Sequence, residues 1–215
     1  MKFDNGIAKK YTRSVEDAFD AIIARGNDEH RRVARSILDS EMLVRVLPVS
    51  MVNASGVTGL IDAEATNEKI ADGGISFLEA LGEVHITIAE ETIDTGGQRG
   101  CEGTFVHEGR HAFDFACVIE SFSDAKVNPL SIFDPTLYEL ELEAHRTAGE
   151  YMLMVGVDEY LHEGLDLMIL GRQADGPCYL NNDGICQRLR ESYGLDINGD
   201  QGRTASEILG LGLNF

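Results

Sequence analysis

The chain has 215 residues, 43% of them apolar and none of them Trp, which suits one substantial domain with a largely aliphatic core. Its formal charge of −19 argues against nucleic acid or an anionic membrane as a partner, because both need clusters of Lys and Arg, and the acidity reads as solubility through self-repulsion. No apolar run is long enough to span a bilayer, and Met1 to Gly6 has no apolar stretch behind its charge; the expectation is a soluble chain, cytoplasmic or exported without a general secretory signal.

The first forty residues read as helical. Ser14, with Asp17 three residues on, suggests a capped start; Ala18, Phe19, Ile22 and Ile23 supply an apolar face, and Gly26 stops it. Val33, Ala34, Ile37 and Leu38 continue at helical spacing. From Met42 to Ile61 the aliphatic and β-branched residues, broken by Gly, Pro and Asn, predict short strands. Asp72-Gly73-Gly74 is a turn, followed by a short helical piece from Phe77 to Leu81. Val84 to Ala89 alternates apolar and polar residues, the mark of a half-buried strand. Asp94 to Gly100 reads as a flexible loop, and a helical pattern then runs from Thr104 to near Ser121. A loop with Pro129 and Pro135 follows. Further helices are expected at Thr136 to Met154, at Asp158 to Leu170 and, in a Gly- and Asn-rich tail, near Ile185 to Tyr193. The order predicts a single α+β domain over 1–215, with a helical part at 1–41, a core at 42–170 and a C-terminal part at 171–215.

Four Cys in a chain of this size do not make a disulfide scaffold, and no C-x-x-C pair is present. Cys178 and Cys186 flank a turn-rich stretch and would close a small loop if oxidised; thiols are the expected state.

The chemistry concentrates at His107-Glu108-Gly109-Arg110-His111. Residues four apart share one face of a helix, so two imidazoles there can hold one zinc ion while the Glu between them reaches a water. A catalytic zinc needs a third protein donor, and Tyr138-Glu139-Leu140-Glu141-Leu142-Glu143-Ala144-His145 on the next helix offers candidates. Glu139 and Glu143 share a face, with Glu141 pointing elsewhere. Glu143, followed by the small Ala144, is the preferred third ligand, and His145 is an alternative. His30, His85 and His162 read as surface or capping residues.

His107-Glu108-x-x-His111, with Glu143-Ala144 beginning 32 residues after His111, resembles the zincin metallopeptidases whose third ligand is Glu, the thermolysin-like gluzincin arrangement. The likeness covers Val84 to Leu153. It lacks the metzincin extension after His111, and Gly109 is unusual inside a helix, although it allows close packing. The resemblance implies a zincin-like fold, predominantly helical with a small sheet, whose edge strand lies beside the metal helix and pairs with an extended peptide. Val84 to Ala89 is the candidate for that strand. It also implies Zn2+ on His107, His111 and Glu143, Glu108 as general base, and a peptide or protein substrate. Tyr138, His145, Tyr151 and Arg110 are candidates to stabilise the oxyanion, with His145 preferred. Oligomeric state is not legible.

Asp196 to Glu207 partly matches a calcium loop, with Asp196, Asn198, Asp200 and Glu207 at positions 1, 3, 5 and 12, but Gln201 stands where the turn glycine belongs. An Asx-rich loop is the simpler reading. The alternative to a zinc peptidase is a non-catalytic zincin-like binding domain, calcium-responsive if that loop takes an ion.

Overall fold

Four short strands form the sheet that backs the site: β1 (Lys2–Phe3), β2 (Leu43–Leu47), β3 (Gly56–Leu60) and β4 (Val84–Ala89), in the spatial order β1-β2-β4-β3. The first, second and fourth run parallel, and β3 lies antiparallel on β4. This is a computed structural model describing residues 1–124, 132–162, 168–172 and 176–212, the side chains at 158, 161 and 162 excepted. Parallel neighbours need crossovers. The first crossover is α1 (Lys9–Arg25) with α2 (Asp28–Asp39); the second takes in α3 (Val49–Val52), β3, α4 (Ala63–Asp72) and α5 (Phe77–Gly82). After β4 come α6 (Glu90–Asp94) and the long α7 (Gly97–Ser123), then α8 (Leu137–Val155) and α9 (Val157–His162). A hairpin of β5 (Leu170–Arg172) and β6 (Cys178–Leu180) leads to α10 (Asn182–Arg188), which continues into a π-helical turn at Leu189–Tyr193; α11 (Ala205–Leu209) follows. The class is α+β, as expected. No helix among the described residues is long and apolar enough to cross a membrane.

Helix α7 is the axis of the molecule. Its buried positions, among them Cys101, Phe105, Ala112, Phe115, Val118 and Ile119, lie all round its circumference, the signature of a helix enclosed by others. Phe19 of α1 meets Phe105 with ring centroids 5.1 Å apart. Gly109 faces α2 closely: a Cβ there would stand 3.3 Å from Ile37 Cδ1 and 3.4 Å from Val33 Cγ1. The close packing anticipated at this glycine is present.

Several expectations need correction. Helix α1 starts at Lys9, ahead of the expected cap, and the Ser14 hydroxyl donates to Lys10 O inside it. The stretch Gly97 to Gly100, expected as loop, is the first turn of α7, because fully buried Cys101 and Glu102 anchor it and packing overrides glycine's poor propensity. Helix α4, unassigned from sequence, is capped by Asp62, whose side chain accepts the Ala65 amide. The expected helix from Asp158 to Leu170 is α9 only to His162, and Leu170 already belongs to β5; its middle, 163–167, and Pro129 lie outside the described residues, as does the His162 side chain. Most consequential, β4 is not the edge strand. It is covered on both sides, by β2 and β3, with Val84, Ile86 and Ile88 fully buried, and among the described residues the unpaired edge belongs to β3.

His30 caps α2 as expected, yet it is buried. Its Nδ1 accepts the Asn27 amide at 3.0 Å and its Nε2 lies 2.9 Å from Thr147 O, so the neutral ring with its proton on Nε2 satisfies both partners. Burial outweighs the Thr147 carbonyl and pushes its pKa below the ordinary value. The folded state therefore resists a proton that the unfolded chain accepts near pH ~6.5, and stability falls as pH drops through that value. Gln fits the same capping position without titrating. Urea unfolding of His30→Gln between pH 7.5 and 5.5 is expected to give a shallower acid decline than wild type; parallel curves would show that His30 does not contribute.

Candidate metal centre

Helices α7 and α8 run antiparallel, so each step up one matches a step down the other. Tyr151 meets Glu102, their oxygens 2.8 Å apart. His145 meets His107, ring centroids 4.7 Å apart. Glu141 meets His111, with Oε1 3.5 Å from Nε2. These three rungs form one seam, and the lower two gather three imidazoles around one carboxylate.

The facing nitrogens of His107 and His111 lie 3.1 Å apart, and Glu141 oxygens stand 3.4 Å and 3.5 Å from them. The Glu141 separations are long for hydrogen bonds to imidazole. They match another geometry: donors ~2.1 Å from a tetrahedral centre stand about 3.4 Å from one another. His145 Nε2 lies 3.8 Å from Glu141 Oε2 and is buried without a hydrogen-bond partner among the described residues. His107, Glu141 and His145 each place a donor atom within 4.8 Å of the other two. The donor set, two or three imidazoles and one carboxylate, suits a borderline cation such as Zn2+.

Electrostatics at the cluster favour the deprotonated forms of Glu141 and His145 at neutral pH. Burial works to raise the Glu141 pKa, but the His107 and His111 imidazoles outweigh it and hold the carboxyl well below its usual range. The His145 pKa is pushed down to about 3, by burial first and then by His107. His111 goes the other way: burial opposes its charge, and Glu141 overcomes that and raises its pKa.

Glu108 sits beside the cluster but outside it, held from the sheet. The Thr58 hydroxyl lies 2.7 Å from Glu108 Oε2 and 3.1 Å from its carbonyl oxygen. Gly56 lets the strand come this close, since a Cβ there would lie 2.7 Å from Thr104 Cγ2 and 2.9 Å from Glu108 Cγ. Two cavities border the cluster. One, of about 390 Å³, is lined by Gly100, Gly103, Thr104, Met152 and Ile169 together with His107, Glu108 and His145. The other, of about 270 Å³, has Val57, Phe115, Leu137, Leu140 and Ile208 around Glu108, His111 and Glu141. Tyr193, at the end of the π-helical turn, borders both, and its ring packs edge-on to His145 at 6.1 Å. Burial and then the Glu141 carboxylate raise its pKa, so the phenol keeps its proton at neutral pH.

The sequence placed His107, Glu108, His111 and His145 together, and the structure does too. Glu143 does not join them: its carboxylate is half-exposed and pairs with Arg146 at 2.8 Å, on a different face of α8 from Glu141. Glu139 is spent on its own helix start, accepting the Thr136 amide at 2.8 Å. Of the other candidates, Tyr151 donates to buried Glu102, Tyr138 meets Cys186 Sγ at 3.6 Å, and Arg110 pairs with Glu29 and Asp114. Their polar ends are committed elsewhere. Glu141, Tyr193 and Thr58 were missed. Glu141 had a signal, because it stands four residues before His145 and so repeats on α8 the spacing of His107 and His111 on α7.

The Asp196 loop uses its acids internally. Asp196 accepts the Asn198 amide and Asp200 the Gly202 amide, each at 2.8 Å, while Glu207 caps α11 through the Thr204 amide. This is an Asx-turn loop whose carboxylates do not converge, so nothing here supports Ca2+. Cys101, Cys117, Cys178 and Cys186 are free thiols. No protein-family model, curated protein or solved structure matches this chain.

Proposed function

We propose that this chain is a zinc-dependent hydrolase, a metallopeptidase of zincin type, with His107, His111 and Glu141 holding the ion and Glu108 acting as general base. The observation that carries the reading is the cluster in which the Nε2 atoms of His107 and His111 lie 3.1 Å apart and each faces a different oxygen of Glu141, Oε2 at 3.4 Å and Oε1 at 3.5 Å, flanked by the Glu108 carboxylate and bordered by two cavities. A purely structural site has no use for that extra base. Zinc bound there would supply a Lewis acid that polarises a carbonyl and acidifies water.

The remaining work falls to the chain's own groups. Glu108 takes the proton of the attacking water and returns it to the leaving amine. Thr58 fixes which way Glu108 faces. Tyr193 and His145 border the same space, and the phenol is the donor best suited to a developing oxyanion, since it keeps its proton. The open edge of β3 suits an extended peptide. Ser55 and Ile61 bond to β4 through Ala89 N to Ser55 O and Ile61 N to Glu83 O. Alternation then turns the main-chain groups of Gly56 and Thr58 outward, along the cavities.

Metal content and cleavage of fluorescently labelled casein test the reading directly. Wild type is expected to carry one zinc and to cleave; His111→Ala is expected to carry none. Equal zinc in the two proteins would end the ligand assignment. Thr58→Val is expected to keep zinc while casein cleavage falls about tenfold, the size of one lost hydrogen bond to a charged group. Unchanged cleavage would show that Thr58 does not orient the base.

His145 favours a second reading. If its Nε2 completes the shell, the ion has four protein donors and the chain is a metal-stabilised binding domain. Cobalt substitution separates the two readings: an open position exchanges added azide and shifts the visible spectrum, whereas a closed one does not respond.

A further inference from the structure

Tyr151 is fully buried, and its hydroxyl donates to a carboxylate, Glu102, that is itself completely withdrawn from solvent. Burying a charge is costly unless it is paired. Glu102 is paired on one side only: Arg99 and Tyr151 both reach Oε2, and Oε1 has no hydrogen-bond partner among the described residues. An apolar pair would fill this interface at lower cost, so the polar rung needs another reason.

Its place in the seam supplies one. Glu102 precedes His107 by five residues on α7, and Tyr151 follows His145 by six on α8, so the rung lies next along the same helix interface. Apolar side chains tolerate sliding more readily, because their attraction is not directional. A hydrogen bond between two short, buried groups does not. A slip of one residue moves a helix ~1.5 Å along its axis, while a zinc site tolerates about 0.2 Å in its donor distances. The approach of Glu141 to His107 and His111 is therefore only as well defined as the register of α8 on α7.

We infer that Tyr151 and Glu102 are positioning residues, a buried polar pin that sets the register of the two helices carrying the metal donors. The inference rests on the metal reading above. It assigns Tyr151 a role one rung away from the chemistry, where the sequence had placed it at the reacting atoms.

The test compares zinc affinity, by competition with a chromophoric chelator, with thermal stability of the metal-free protein. Three variants are needed: Tyr151→Phe, Glu102→Gln, and Tyr151→Phe combined with Glu102→Leu. Tyr151→Phe removes the bond and is expected to weaken zinc binding by about 10–100-fold, the usual effect of losing an outer-shell support. Glu102→Gln keeps an acceptor oxygen for the phenol and is expected to hold affinity within about threefold of wild type by the same standard. The double variant leaves no stranded carboxylate, and Arg99 retains Glu159 at 2.9 Å, so stability is expected to return toward wild type. Its zinc affinity is expected to stay low. Recovery of affinity together with stability in the double variant would overturn the pin, since the rung would then matter only to folding. So would wild-type affinity in Tyr151→Phe. A wild-type protein that takes up no zinc overturns the metal reading itself, and the pin with it. That outcome is recognisable because it needs no variant.

Discussion

Glu141→Gln is expected to strip the protein of tightly held zinc, and Glu143→Gln to leave zinc content unchanged. The two residues are the same type and only two positions apart on α8, four and two residues before His145, so the pair isolates direction from composition. Glu141 is mostly buried and faces His107 and His111; Glu143 is half-exposed and bonded to Arg146. Gln preserves the shape of Glu141 but removes the charge and half of the oxygen donor capacity. Losing a direct donor from a three-donor set is expected to cost more than about 100-fold in zinc affinity, beyond the 10–100-fold typical of an outer-shell change. Zinc per chain after dialysis against a weak chelator measures it. The reverse pattern, zinc lost in Glu143→Gln and kept in Glu141→Gln, would restore the donor assignment drawn from the sequence.

The difference between the Glu143 expected from the sequence and the Glu141 found beside the imidazoles shows what a one-dimensional reading can and cannot supply. The candidate metal-binding helix was legible because its signal is local: two His four apart, set in an apolar pattern, define one face wherever the helix packs. The signal for the proposed third donor was not local. Each Glu of Tyr138 to His145 lies on some face of α8, and only the packing of α8 on α7 decides which face meets the imidazoles. The burial pattern held the answer in part, since Leu140, Ala144, Ala148 and Tyr151 mark the inward stripe, and Glu141 and His145 flank it while Glu143 does not. The edge strand went wrong for a similar reason. Alternation in Val84 to Ala89 identified a strand, but whether a strand is central or at an edge is decided by its partners, and β3 arrives from a Gly-containing stretch, Gly56-Val57-Thr58-Gly59-Leu60, with little alternation of its own. Tyr193 was invisible because it reaches the cluster from the far end of the chain, on a turn whose placement depends on the β5–β6 hairpin and α10.

Glu108→Gln is expected to keep zinc and structure while casein cleavage falls by about 10²–10⁴-fold, the contribution of a positioned general base. The geometry makes the separation clean. Glu108 is not among the proposed donors, and its partner Thr58 can hydrogen-bond to Gln as readily as to Glu, so the substitution leaves the donors and the strand contact in place. What it removes is the ability to accept a proton beside the cluster. Melting temperature and zinc content therefore serve as internal controls, both expected to match wild type. Three outcomes divide the readings. Zinc kept with cleavage lost identifies Glu108 as the base. Zinc lost along with cleavage would place Glu108 in the donor set. No cleavage by either protein, with zinc retained in both, would favour the four-donor reading, in which His145 closes the shell and Glu108 has no water to work on.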